Sequence, residues 1–555
     1  MRMTNKIMQN NSLYNINQNK VLQDKLSTQM STQKKLTRPS DDPVVAIRAL
    51  RLRSSVSELT QYNDKNAADA DNWLKVTSDG LAVMNDILTD MMKESNKAAN
   101  KDLTPNELDI ILTQVKSYMD EFYSTGNSDY AGRYLFTGYR TDTPMTFTTA
   151  DVSKMTEDDN FPSYEITEQT KIDAFDTMNY TYIDKLEGLN PNNYTDGTHD
   201  TTEQKIENGD IKRLRLAYDD IKDGQTLKVE LYSKSGSPLT YSDPALHSVT
   251  ATAVSLGNDP YKQILDSNPG GNLVIYVPET GEILFSDGAF KTLNDTYQAA
   301  AQGTEGDDTV DPPIAGTPGV GEENMEIRVT YTKDHWNNGD LRPEHYFKCS
   351  ATAKDASGTE NTIDYNSEYT DAEIGIKRQT ISYDVGYNQI IEVNSTAQEI
   401  FPHDLKRDLD DLQNIMTKMK DIYAIRTDLK DALRDMEESD ADYADTVKQM
   451  DAANKAYDYI RENIHTAFEH MISKTQEYQA DVNVAVTDNG TRSSRLALIK
   501  NRLVEQKTSF RELQDKNEGV DIAEVAIELK SAELTYESSL MATSKIMQTT
   551  LMNYI

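Results

Sequence analysis

Apolar residues recur at alternating spacings of three and four along both ends of this chain, and that periodicity constrains the fold more than any other feature. Near the C-terminus Ile522, Val525, Leu529, Ala532, Tyr536, Ser539, Thr543 and Ile546 keep the pattern. Near the N-terminus Ile7, Leu13, Ile16, Val21, Leu22, Leu26 and Met30 keep it more loosely. Residues so spaced share one face of an α-helix. Most domains end in frayed polar tails. Sticky stripes carried to both termini therefore predict burial against a partner, and an assembling structural protein.

Charge supports pairing of the two ends. Within 1–40, Arg2, Lys6, Lys20, Lys25, Lys34, Lys35 and Arg38 outnumber Asp24 by six; within 519–555, Asp521, Glu524, Glu528, Glu533 and Glu537 outnumber Lys530 and Lys545 by three. Opposite charges flanking apolar seams favour association and set its orientation. The whole chain of 555 residues carries a formal charge of −35, which disfavours a nucleic-acid partner or an anionic membrane surface. No run of about 18 apolar residues offers a bilayer span. The opening residues, Met1 to Asn19, lack the apolar core of a secretory signal. Cys349 is the one cysteine, so no intrachain disulfide forms; it reads as a small residue on a strand.

The organisation is helical, mixed, then helical. Asp42 before Pro43 marks a helix start, and that helix runs to about Asn100. Thr104-Pro105-Asn106-Glu107 fits a capping box opening a second. In the C-terminal half Leu405, Leu409, Leu412, Met416 and Met419 form a stripe, and Tyr443, Val447, Met450, Tyr457, Ile460, Ile464, Ala467 and Met471 form another; Asp488-Asn489-Gly490 reads as a break before the pattern resumes at Leu496. Between them Gly, Pro, Asp and Asn become common. Residues 272–277 and 282–285 read as a hairpin around Pro278-Glu279-Thr280-Gly281, residues 326–331 and 345–349 as two more strands, and 303–323 as a loop. The predicted class is a mainly α, long-helix, coiled-coil-like bundle built from both chain ends, with an inserted β-rich (α+β) outer domain. Its segments are an assembly helix over 1–40 pairing with 519–555, a helical arm over 41–147, the insert over 148–379 and a returning arm over 380–518.

Signals for chemistry are thin. His465, Glu469 and His470 superficially resemble a zinc-binding helix, but histidines five apart lie about 140° around it. Asn192 to Glu203 partly fits a calcium loop, with Gly197 at the sixth position and Tyr194 where a short oxygen ligand belongs; a polar turn is the simpler reading. No nucleophile or phosphate-cradling motif occurs. No catalytic residue, cofactor or metal is predicted, and the chain does not read as an enzyme.

The stretch from Arg38-Pro39-Ser40-Asp41-Asp42-Pro43 to Arg53 resembles the signature of the bacterial hook-associated protein 3 family, hook–filament junction proteins of the flagellin superfamily. Tyr134-Leu-Phe-Thr-Gly-Tyr139 with Thr141 to Pro144, Tyr383-Asp-Val-Gly-Tyr-Asn-Gln389, Asp521-Ile-Ala-Glu524 and the ending Leu551-Met-Asn-Tyr-Ile555 are similar to further family segments. The likeness covers 1–147 and 380–555. It implies a flagellin-like fold and a structural adaptor of the flagellum, joining hook-associated protein 1 to flagellin and ringed by copies of itself. It also implies an export chaperone, type III flagellar export and an extracellular location. The predicted assembly residues are Ile7, Leu13, Leu22, Leu26, Val525, Leu529, Tyr536, Leu540, Ile546, Met547, Leu551 and Ile555. A flagellin-type filament subunit, and a flagellar protein whose insert is an adhesive or binding module, are the alternatives.

Overall fold

The structure, a computed structural model, describes residues 5–36, 38–40, 42–100, 103–157, 161–183, 206–233, 248–302, 321, 325–354, 359–367, 379–440 and 442–552. The chain divides into two compact units, one formed by 1–72, 382–392 and 492–555, the other by 73–381 and 393–491.

In chain order α1 spans Asn5–Thr32, α2 Pro43–Gln61 and α3 Ala67–Ala98, with one π-helical turn, Tyr62–Asn66, carrying α2 into α3. Asp42 caps α2, accepting from the backbone N–H groups of Val44 (3.0 Å) and Val45 (3.2 Å). Pro43 follows at the first position, where a missing N–H costs nothing. Helix α4, Pro105–Thr125, opens on the capping box of Thr104 and Glu107. Next come the short strands β1 (Asp129–Tyr130) and β2 (Arg133–Tyr134), and α5 (Thr149–Glu157).

Strands β3 (Ser163–Thr170), β4 (Asp176–Ile183), β5 (Ile206–Arg215), β6 (Leu227–Ser233) and β7 (Ser248–Ala253) follow, then α6 (Pro260–Ser267), β8 (Val274–Val277), β9 (Glu282–Phe285), α7 (Asp287–Gln302), β10 (Met325–Lys333), β11 (Lys348–Lys354) and β12 (Glu360–Tyr365). The chain continues through the hairpin β13 (Ser382–Gly386) and β14 (Gln389–Glu392), the turn α8 (Ala397–Ile400), α9 (Asp404–Asp435), α10 (Tyr443–Glu518) and α11 (Ile522–Met552). Long helices from both parts of the chain with an inserted β-rich domain are the class the periodicity predicts.

The insert forms one ten-stranded sheet in the order β12-β11-β3-β10-β6-β7-β8-β9-β5-β4, antiparallel except where β7 meets β8. Its core gathers Phe147, Tyr276, Phe285, Tyr331 and Trp336, with Leu293 and Tyr297 of α7 against it. The β8–β9 hairpin has the predicted loop, with Val277 opposite Glu282. Gly281 lies there at φ +62°, where a Cβ would sit 2.0 Å from the Tyr218 carbonyl oxygen. Beside the sheet, α4 lies along α9, and the Tyr123 hydroxyl donates to the Pro402 carbonyl at 2.6 Å.

Two expectations are corrected. Asp488-Asn489-Gly490 does not break the chain, because α10 runs through it unbroken. Asn489 is buried and its amide donates to the Leu74 carbonyl at 2.9 Å, so a residue that favours turns in isolation here anchors a helix. His345 to Phe347 is not strand. Pro343–His345 forms a 3₁₀ turn, and Asn366 holds it by donating to the carbonyls of Glu344 (2.8 Å) and Phe347 (2.9 Å); β11 begins at Lys348. Of the loop read over 303–323, only Gly321 is among the described residues.

Candidate assembly interface

Helices α1 and α11 belong to one unit and pack along each other. On α11 the inward face carries Val525, Leu529, Ala532, Tyr536, Ser539 and Thr543, each buried or half-buried. On α1 it carries Met8, Ser12, Ile16, Asn19, Gln23 and Leu26. Leu26, Val525 and Ala532 form the apolar centre, with Val520 and Leu529 against them. Farther along, the Asn19 amide donates to Ser539 Oγ at 3.2 Å. A seam with Ser, Asn and Gln among few large side chains is weak, and polar seam residues select register at the expense of stability.

The turn from α10 into α11 fixes the geometry. Gly519 closes α10, and a Cβ there would lie 2.5 Å from the Asp515 carbonyl oxygen. Lys35 N–H donates to Glu518 O at 2.7 Å and Val520 N–H to Gln33 O at 3.3 Å, tying the end of α1 to this turn. Gln33 takes φ 57°, the left-handed conformation common just past a helix end. Asp521 caps α11, accepting from Ala523 (2.9 Å) and Glu524 (3.3 Å). The basic N-terminal segment meets acid here: Lys34 lies 3.6 Å from Glu518.

The predicted assembly residues divide. Leu26 and Val525 are buried in the seam, and Leu529 and Tyr536 are half-buried on the same face. Ile7, Leu13, Leu22 and Leu540 are exposed. The side chains of Ile546, Met547 and Leu551, and all of Ile555, lie outside the described residues. A second row went unread. Ile527, Leu534 and Met541, seven residues apart, are 72%, 63% and 68% exposed. They lie about 180° around α11 from the seam at 100° per residue. On α1, Ile7, Tyr14 and Val21 repeat the same interval and are also exposed. The signal was present as a strict seven-residue spacing, hidden by the stronger three–four stripe. Apolar rows on the free side of a helix pair are unfavourable in water and mark a contact surface; a seven-residue repeat is the period of knobs-into-holes packing.

Elsewhere, among the described residues, no cluster of three or more His, Cys, Asp or Glu side chains could hold a metal, and no helix is long and apolar enough to cross a membrane. The calcium-like loop over 192–203 lies outside the described residues. His465 is buried while His470 is exposed on the same helix. Cys349 is buried on β11, and burial pushes its thiol pKa up.

Residues 3–141 match the model of the bacterial flagellin N-terminal helical region. Over 146 residues the chain is 30% identical to flagellar hook-associated protein 3 of Salmonella typhimurium, covering 26% of this chain and 45% of that protein. Over 147 residues it is 28% identical to flagellar hook-associated protein 3 of Escherichia coli, with the same coverage of 26% and 45%. The match thus spans less than half the length of either relative. The solved structure of FlgL from Xanthomonas campestris aligns over 84% of this chain and 99% of its own, at 10% identity and a TM-score of 0.29. The resemblance read from Arg38 to Arg53 and from Tyr134 to Tyr139 falls in the matched N-terminal region and is borne out there.

Proposed function

We propose that this chain is a structural subunit of the bacterial flagellum, an adaptor whose terminal helices build the junction between hook and filament. The single observation that carries this is the terminal helix pair, closed on one side by the Leu26–Val525–Ala532 seam and left uncovered on the other along Ile527, Leu534 and Met541. In assembly those rows are covered by like rows from copies of the same chain in a ring. The likeness to hook-associated protein 3 supports hook-associated protein 1 as the neighbour on the hook side and flagellin on the filament side. Type III flagellar export with a dedicated chaperone, an extracellular location and a purely mechanical, non-catalytic role complete the reading. So does its segment plan: terminal helices 1–40 and 519–555, arms 41–147 and 380–518, and the insert 148–379 facing outward.

The family model over 3–141 is that of flagellin itself, so a filament subunit is the second reading. Deleting the gene and imaging the cells separates the two. An adaptor leaves hooks without filaments and flagellin shed into the medium. A redundant filament subunit leaves filaments attached, and normal filaments overturn the adaptor reading.

A further inference from the structure

Four carboxylates line a cavity beside the sheet, and arginines hold only three of them. The cavity measures about 620 Å³ and opens among β4, α6, α9 and α10, all within the unit that holds the sheet. This lies within the range of about 300–1,000 Å³ typical of small-molecule sites. One wall is apolar. The rings of Tyr180 and Tyr261 stack with centroids 4.7 Å apart, and Met178, Leu256 and Ile415 continue the surface. Leu256 is exposed although it is large and apolar.

The charges on the other wall divide into spent and unspent. Arg213 reaches Asp176 at 2.9 Å and Asp411 at 2.5 Å, and Arg215 reaches Asp408 at 2.6 Å. The fourth carboxylate, Asp259, is exposed and has no hydrogen-bond or ion-pair partner among the described residues; it precedes α6 at φ 48° without capping it. Lys418 is the matching cation. It is half-buried, and its ammonium lies over tyrosine rings, 3.7 Å from the centre of Tyr180 and 6.0 Å from that of Tyr261. Burial lowers its pKa to about 8, with Asp259 and Glu282 opposing the shift, so it is mostly charged at neutral pH and within electrostatic reach of Asp259. The two are not an ion pair, which leaves one charge of each sign beside an apolar wall. A ligand with only a negative charge is drawn to Lys418 and repelled by Asp259, and one with only a positive charge meets the reverse. A ligand carrying both an ammonium and a carboxylate satisfies both groups, and an apolar side chain on it covers the tyrosine wall.

We propose that this cavity binds a zwitterion with an apolar side chain, a free amino acid or a short peptide, its carboxylate at Lys418, its ammonium at Asp259 and its side chain against Tyr180, Tyr261 and Leu256. The site is independent of the junction role and gives the insert a recognition function of its own.

Saturation-transfer NMR on the full chain tests it, with L-leucine, L-phenylalanine and glycylphenylalanine as probes. Transfer to at least one of them is expected. Phenethylamine, which lacks the carboxylate, and 3-phenylpropionate, which lacks the ammonium, are each expected to bind about tenfold or more weakly than the best zwitterion. Asp259→Asn and Lys418→Met should each weaken the zwitterion by a similar factor. Each variant also has a signature that general damage would not give: Asp259→Asn should not weaken 3-phenylpropionate, and Lys418→Met should not weaken phenethylamine. Thermal unfolding verifies that each variant is folded, and if one is not, the other decides. Transfer to none of the three zwitterions overturns the proposal, as do singly charged analogues that bind equally well or a folded variant that leaves zwitterion binding unchanged. The two sources separate by the probes: tighter binding of glycylphenylalanine than of phenylalanine assigns the site to peptides, and the reverse assigns it to free amino acids.

Discussion

Arg53 of α2 grips both carboxylate oxygens of Glu518 at the end of α10, its Nε donating at 2.7 Å and its Nη2 closing the second bond. Glu518 is nearly buried, and the Arg53 hydrogen bond, joined by the charges of Arg53 and Lys34, holds its pKa below the ordinary glutamate value. The chain reverses into α11 at the next residues, so this pair fixes where the terminal helix departs. A depressed carboxylate pKa contributes stability at neutral pH that is lost as pH falls below the unfolded value of about 4.3. Arg53→Ala is expected to cost about 1 kcal/mol, the arginine being half exposed and solvent-screened. It should also speed amide hydrogen exchange across 519–525 at neutral pH and have little effect in acid. Equal protection in the variant at neutral pH would remove the clamp from the argument.

The two faces of α11 make opposite predictions. Leu26→Ala empties part of the seam and is expected to cost about 2 kcal/mol, the low end for a buried leucine. It should be visible as a lower unfolding midpoint of the terminal pair. Leu534→Lys lies on the free face, where a lysine is at home in water. It should leave the monomer's helicity and stability unchanged while abolishing incorporation into flagella, read by motility and by sedimentation of assembled protein. If Leu534→Lys destabilises the monomer instead, the second row is buried within the chain and is no assembly surface.

How much was legible in the sequence follows from the range of the interactions. Asp42 with Pro43, and Thr104 with Glu107, cap their helices through atoms at most three residues away, so their letters alone predict the starts. Asn489 does the reverse: its partner, the Leu74 carbonyl, is 415 positions distant, and only that contact turns a breaker into a helix anchor. The 345–349 strand failed for a related reason, since Asn366 holds its first three residues in a turn. Ile527, Leu534 and Met541 were readable as a seven-residue repeat, but a second apolar row has no meaning until the first is seen to be covered.

Arg213 is a buried charge at the centre of an ion-pair group in the insert. It is 4% exposed and touches Asp176, Asp411 and Glu282, so it links β4, β5 and β9 to α9. Removing one member of such a group leaves the others charged and desolvated. Arg213→Ala is expected to cost about 3–5 kcal/mol in denaturant unfolding. Lysine should recover only part of this loss, since a single ammonium cannot serve three carboxylates with the geometry of a guanidinium. A loss below about 1 kcal/mol would mean that the carboxylates are relieved by water or protonation, and that the network is incidental to the fold.

His345 gives the fold a specific response to acid. It is buried, with Nε2 3.1 Å from the Pro144 carbonyl oxygen and Nδ1 without a partner among the described residues. Burial pushes its pKa down to about 3, with Arg342 and Arg140 adding to the shift and the Pro144 carbonyl opposing it. The unfolded chain takes up a proton on this ring below about pH 6.5, whereas the folded chain does not. The folded state therefore binds fewer protons between those values. Stability is full above about pH 6.5 and falls as the solution becomes more acidic, at up to about 1.4 kcal/mol per pH unit for one ring. His403 is also buried with its pKa pushed down to about 3, so it adds a second slope of the same sign. His345→Gln keeps a donor for the Pro144 carbonyl and removes the titrating ring. Denaturant unfolding in a pH series from neutral to mildly acid should show the variant losing stability less steeply than the parent, by up to one proton. Parallel curves would mean that His345 is already protonated in the folded chain, with Nδ1–H satisfied by water.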